Sequence, residues 1–110
     1  MKRKQNMEHT PLLVLSLLSR EDMYGYQMIA QLEKKLDSTF AMKEGTLYPI
    51  LRQLENEGAV RCYEQTAPTG RKRKYYALTE KGRLLLRQEE ASWRAYQRSI
   101  DAVVEQAVLG

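Results

Sequence analysis

The sequence predicts a mainly α fold with one small β-hairpin (α+β), and three observations predict it. Apolar residues recur at three- and four-residue steps in two stretches, Met28, Ile29, Leu32, Leu36 and then Leu47, Ile50, Leu51, Leu54. Two runs rich in strand formers, residues 60–64 and 74–78, flank the turn-forming Thr66-Ala67-Pro68-Thr69-Gly70. From Glu80 a single helical pattern runs almost to the end of the chain. With 110 residues, this is one domain or one domain plus an appendage.

Thr10-Pro11 opens the first helix, with Thr10 expected as the cap and Pro11 at the first helical position. Leu12, Leu13, Leu15, Leu17 and Leu18 make that helix apolar on most sides, so it is expected to be central. Ser19-Arg20-Glu21-Asp22 is a polar break. A second helix is expected from about Tyr24 or Gly25 to Leu36, ended by Asp37-Ser38-Thr39.

The third helix carries the most information. Leu47, Ile50, Leu51 and Leu54 fall in one narrow arc. The opposite arc carries Gly45, Pro49, Arg52 and Asn56, flanked by Thr46, Tyr48 and Gln53. A proline inside a helix loses one amide bond, which is tolerable if the helix begins near Glu44. Gly58 is placed to end it in a left-handed conformation. In the hairpin that follows, Tyr76 and Leu78 share the core face and Tyr75 faces the other way.

Thr79 is a cap for the last helix. About 30 residues at 1.5 Å each give roughly 45 Å, too long to pack wholly on so small a domain. Trp93, Tyr96, Ile100, Val103 and Ala107 are spaced 3, 4, 3, 4, a two-heptad seam. That seam reads as an intermolecular contact, with a helix folded back on its own domain as the alternative.

Charge is concentrated. Lys and Arg total 18 against 14 Asp and Glu, giving +4 and a pI near 9.3. Lys2, Arg3 and Lys4 form one cluster, and Arg71, Lys72, Arg73 and Lys74 a second. Without those seven, eleven cations face fourteen carboxylates, a net −3. Clustered cations on an otherwise acidic chain point to a polyanion. The same composition excludes other classes. One His (His9) and one Cys (Cys62) cannot make a Cys/His zinc site or an intrachain disulfide, and a reducing cytoplasm fits. No phosphate loop, dinucleotide turn or nucleophile elbow is present, so neither an enzyme nor a cofactor is expected. No apolar run approaches the ~20 residues needed to cross a bilayer, and no export signal is read.

Three short helices followed by a hairpin make a winged helix-turn-helix. The outer face of the third helix would enter the major groove, and the hairpin, the wing, would carry the 71–74 run onto the adjacent backbone. Residues 1–9 read as a basic arm, 10–79 as the DNA-binding domain with its wing at 60–78, and 80–110 as a dimerisation helix.

The chain also resembles a known family. Tyr24-Gly25-Tyr26, Gly45-Thr46-Leu47-Tyr48-Pro49 with Leu51, Leu54, Glu55 and Gly58, and Gly70-Arg71 with Lys74-Tyr75-Tyr76, Leu78-Thr79 and Gly82 are similar to PadR-family transcriptional regulators of the short subfamily. The resemblance implies a homodimer on an inverted repeat of double-stranded DNA, usually as a repressor. DNA contacts are expected from Tyr24, Lys43, Gly45, Thr46, Tyr48, Pro49, Arg52, Arg71, Lys72, Arg73, Lys74 and Tyr75; helix geometry gives Gly45 a close backbone approach and lets Thr46 and Tyr48 reach phosphate or a thymine methyl. By helix geometry Arg52 is the one basic side chain on the outer face, a candidate for a guanine edge or a phosphate. Lys72 departs from the family, which often has proline there; an added charge and a looser wing are expected. Some short members have a Trp on the last helix where two copies sandwich flat aromatics. Trp93, with Tyr96, is therefore either an effector wall or an interface anchor. Cys62 reads as strand packing ahead of a redox switch. A protein-interaction module without specific DNA binding is the alternative, and RNA binding a weaker one.

Overall fold

The computed structural model describes residues 9–36 and 42–109. In chain order these form α1 (Thr10–Leu18), β1 (Met23–Tyr24), α2 (Gly25–Lys35), α3 (Glu44–Asn56), β2 (Val60–Thr66), β3 (Lys72–Leu78) and α4 (Glu80–Leu109). The architecture is the predicted one, four helices and a small antiparallel sheet. The basic cluster Lys2, Arg3, Lys4 and the expected helix stop at Asp37, Ser38 and Thr39 lie outside the described residues.

Three local expectations are corrected. Thr10 is not the cap of α1 but its first residue, and it is buried. The carbonyl of His9 already accepts a bond from the Leu13 amide (3.3 Å), so His9 holds the cap position and Pro11 the second helical one. The sheet has three strands, ordered β1-β3-β2, because Met23 and Tyr24 pair with Tyr76 and Tyr75. A two-residue strand is too short to show a period, so the polar break hides it. The two wing strands also run further than their apolar patterns. Gln65 pairs with Arg73 and Thr66 with Lys72, extending the ladder to the tip.

The core forms where α1, α3 and the inner face of the sheet meet. Val14, Leu15, Met28, Leu47 and Leu51 are fully buried, with Met23, Val60 and Tyr76 joining from the strands. The expected arc of α3 (Leu47, Ile50, Leu51, Leu54) is the buried one. Pro49 sits inside α3. Only the bond to the Gly45 carbonyl is forgone, and both residues are exposed, so that carbonyl is open to solvent. The helix ends as its sequence implies: Gly58 has φ of 80°, and the Ala59 amide donates to the Leu54 carbonyl at 2.8 Å.

The turn that leaves α3 is bound to the start of α4. The Thr79 hydroxyl donates to the Gly58 carbonyl (2.6 Å) and accepts from the Gly82 amide (3.0 Å), and the Thr79 amide donates to the Ala59 carbonyl (3.0 Å). Gly82 lies so close that a Cβ there would collide with the Ala59 carbonyl oxygen. The first half of α4 lies along α1, with Leu85 and Leu86 partly buried. The rest projects beyond the core, in a molecule 62 Å long and 29 Å across.

Candidate nucleic-acid interface

The N-terminus of α2, Tyr48 of α3 and the tip half of β3 converge on one side of the molecule. On α3, Gly45, Pro49, Arg52 and Asn56 are exposed as the periodicity requires, and Thr46 is half-buried. Lys43 occupies the N-cap and is exposed. Between α3 and the wing lies an open cleft of about 370 Å³. Tyr24, Tyr26, Tyr48 and Tyr76 wall it with Gly25, and the 71–74 run closes it. Aromatic rings, hydroxyls and four cations around one groove suit a phosphate backbone.

Each tyrosine is placed by a different constraint. Tyr24 caps α2, its amide donating to Gln27 Oε1 at 3.4 Å, while β1 pairs it with Tyr75. Tyr48 leans inward against Gly25, where any side chain would strike its ring. Burial pushes the Tyr48 hydroxyl above the ordinary tyrosine range, with the nearby Glu44 carboxylate adding to it, so it remains a donor at neutral pH. Tyr26 is exposed and donates to the Glu44 carboxylate, a bond that raises it, while Arg71 pulls the other way. Tyr26 and Glu44 escape a reading by helix arcs, since they sit on two helices; only the second Tyr of Tyr24-Gly25-Tyr26 signals them.

The wing is regular to its tip despite Lys72. The Ala67 amide donates to the Arg71 carbonyl (2.7 Å) and the Gly70 amide to the Ala67 carbonyl (2.8 Å), so Pro68 and Thr69 sit at the bend. β3 starts at Lys72, whose ammonium is 4.0 Å from Glu64. Both partners are exposed, so this pair contributes little. Strand alternation divides the run. Lys72 and Lys74 point to one side and are exposed, while Arg73 is half-buried with its guanidinium 4.4 Å over the Tyr24 ring. The run expected to act as one phosphate patch is therefore two differently held sets.

The expected dimer residues lie along α4. Ile100, Val103 and Ala107 are exposed, and Val104 and Val108 widen the stripe beyond a strict seam. Trp93 is half-buried, because the His9 ring meets it edge-on at 4.7 Å; Tyr96 lies 5.4 Å from His9 and 5.9 Å from Trp93. Cys62 is half-buried on β2; burial pushes its thiol up, and Lys74 opposes that only in part. Among the described residues no group of three or more His, Cys, Asp or Glu is placed to hold a metal, and no helix is long and apolar enough to cross a membrane.

Comparison with known proteins gives the family and the fold. Residues 14–88 match the model of the "Transcriptional regulator PadR-like family". A Lysinibacillus sphaericus protein, "Uncharacterized protein X", is 30% identical over 97 residues, covering 88% of this chain and 89% of its own. The "Negative transcriptional regulator PadR" of Bacillus subtilis is 26% identical over 92 residues; the match covers 84% of this chain but 48% of that protein. Among solved structures, smu.1704 from Streptococcus mutans superposes with a TM-score of 0.79 at 38% identity, covering 96% of this chain and 94% of that one. A PadR family transcription regulator from Clostridium difficile superposes with a TM-score of 0.76 at 28% identity, covering 87% and 98%. The matched family, the B. subtilis relative and the C. difficile structure are named as transcriptional regulators, which are not enzymes, and the chain belongs to the PadR-like family of transcriptional regulators.

Proposed function

We propose that this chain is a sequence-specific DNA-binding regulator that acts as a homodimer on an inverted repeat, as a repressor. One observation carries the reading: Tyr48 of α3, the helix whose exposed arc holds Arg52, lines the cleft closed by Arg71, Lys72, Arg73 and Lys74. A reading helix beside a cationic wing suits a major groove and its flanking phosphates. Affinity falls mainly to Lys43, the wing and the basic N-terminal arm, because Glu44, Glu55 and Glu57 leave the α3 segment acidic. The 2-fold partner would be another copy, joined along the stripe of α4, placing two reading helices about 34 Å apart. Repression follows the B. subtilis relative named as a negative regulator.

Release by a flat hydrophobic effector belongs to the same reading, with Trp93 and Tyr96 as its walls. What supports it is that both rings already cluster with a third, His9, on one side of α4. A Trp93→Ala chain that dimerises and no longer responds to planar cations would support the pocket; loss of the dimer would assign Trp93 to packing.

The deciding experiment is fluorescence anisotropy on the DNA upstream of the chain's own gene, against a scrambled fragment of equal length, over a salt series. Preference by three orders of magnitude with a steep salt slope is expected. Equal, weak binding to every genomic fragment would favour a protein-interaction module.

A further inference from the structure

Five side chains on the outer face of the sheet form one continuous stack. Tyr24, Tyr75 and Tyr63 stand directly opposite one another on β1, β3 and β2. Tyr24 meets Tyr75 edge-on at 5.4 Å, and Tyr75 lies nearly parallel to Tyr63, at 17° and 5.7 Å. An arginine closes each end, Arg73 at 4.4 Å over Tyr24 and Arg61 at 5.5 Å over Tyr63. The Tyr63 hydroxyl donates a 2.6 Å bond to Asp22 Oδ2, in the segment just before β1. That bond raises Tyr63 above the ordinary tyrosine range, so the donor is in place across neutral pH.

The stack joins two parts of the molecule that the backbone joins weakly. β1 offers only two residue pairs to β3, and a two-stranded ribbon alone is marginally stable and free to twist. Tyr24 is at once the N-cap of α2 and the first ring of the stack. Tyr63 is on the outermost strand, and Asp22 ties it back to the segment leading into α2. The rings therefore run from the helix-turn-helix, across the sheet, to the far strand of the wing.

The geometry points to the Tyr24–Tyr75–Tyr63 stack, fastened by Asp22, as the device that sets the angle at which the wing meets DNA. Tyr63 and Asp22 are positioning residues, with no need to touch DNA themselves. Arg73, held over Tyr24, serves the stack, and the phosphate contacts of the run fall to Arg71, Lys72 and Lys74. This inference rests on the DNA-binding reading above.

The test begins with in vitro selection from a random double-stranded pool by the full chain, so that the probe is the recovered sequence, with a scrambled version as control. Asp22→Ala and Tyr63→Phe are then compared with Asp22→Asn, which also lacks the charge but keeps an oxygen that accepts the bond. Asp22→Ala and Tyr63→Phe are expected to weaken binding to the selected sequence about tenfold and to lower the log–log salt slope by about 0.9 for each wing cation that no longer reaches its phosphate. Binding to scrambled DNA stays within about twofold, because all the wing cations are still present and no fixed register there demands one wing angle, and Asp22→Asn stays near the parent on both. Affinities and slopes unchanged in both disruptive variants would overturn the proposal, as would equal losses on selected and scrambled DNA. Asp22→Asn behaving like Asp22→Ala would overturn the role of the bond. If the parent chain enriches no sequence, the DNA-binding reading itself falls; enrichment with indifferent variants removes this inference alone.

Discussion

The hydroxyl end of Tyr48 fills the space that a side chain at Gly25 would need. A Cβ built on Gly25 would lie 2.7 Å from Tyr48 Cζ and closer still to the hydroxyl oxygen. The two residues open α2 and line α3, so this contact fixes how closely the halves of the helix-turn-helix approach. Gly25→Ala is expected to cost about 1–2 kcal/mol, since the obstacle is a side-chain tip that can swing away. In a Tyr48→Ala background the same change should cost less by about 1 kcal/mol. Urea unfolding of the four chains measures both; additive costs would mean that the contact is not felt.

Gly82→Ala should be worse. There the obstacle is the Ala59 carbonyl, with Leu78 Cδ1 at 2.7 Å behind it, and backbone cannot rotate aside. A loss of about 3 kcal/mol is expected, at the upper end for overpacking. A melting temperature within a degree of the parent would contradict it.

The wing cations and Arg52 should fail differently on DNA. Arg71→Ala or Lys74→Ala is expected to weaken binding to every sequence and to reduce the salt slope by about one each. Arg52→Ala should instead change which sequence is preferred at one position of each half-site. A uniform loss for Arg52→Ala would reassign it to a phosphate.

The stripe on α4 gives an association test. Val103 is 67% exposed and Val108 76% in the single chain. Val103→Asp should convert a dimer to a monomer by light scattering while leaving the far-ultraviolet helical signal intact. A parent chain that is already monomeric at tens of micromolar would remove the seam from consideration.

Cys62 supplies a pH prediction. Burial raises its thiol above the ordinary value of 9.0, so the folded state favours the neutral form. That contribution to stability is fully present below the unfolded value and is lost as pH rises through the folded one. Alkylation by iodoacetamide should set in at higher pH than for free cysteine, and Lys74→Ala should move it higher still. Fast labelling at pH 7 would point instead to an activated thiol.

Periodic features were the legible ones. The buried arc of α3, the Gly58 terminus and the Thr79 cap follow from spacing and residue type alone. The 71–74 run was visible as charge, but its division was not, because strand alternation sends Arg73 to Tyr24 and its neighbours elsewhere. β1 was hidden by its length, and with it the opposition of Tyr24, Tyr75 and Tyr63, which lie 12 or more residues apart in sequence and meet only through pairing. Thr10 misled because it is a good cap residue next to a proline; the first helical bond is accepted one residue earlier.

The bonds between Thr79 and the turn after α3 have a mechanical meaning. The Thr79 hydroxyl and amide bond to Gly58 and Ala59, and the bare face of Gly82 packs against Ala59, where α3 hands over to the long helix. A tilt of α4 would pull on the end of α3 through these bonds, as a lever acts across its fulcrum. In the proposed dimer, whatever alters the crossing of two such helices would re-aim both α3 faces at once, with the joint acting as a gear rather than a hinge.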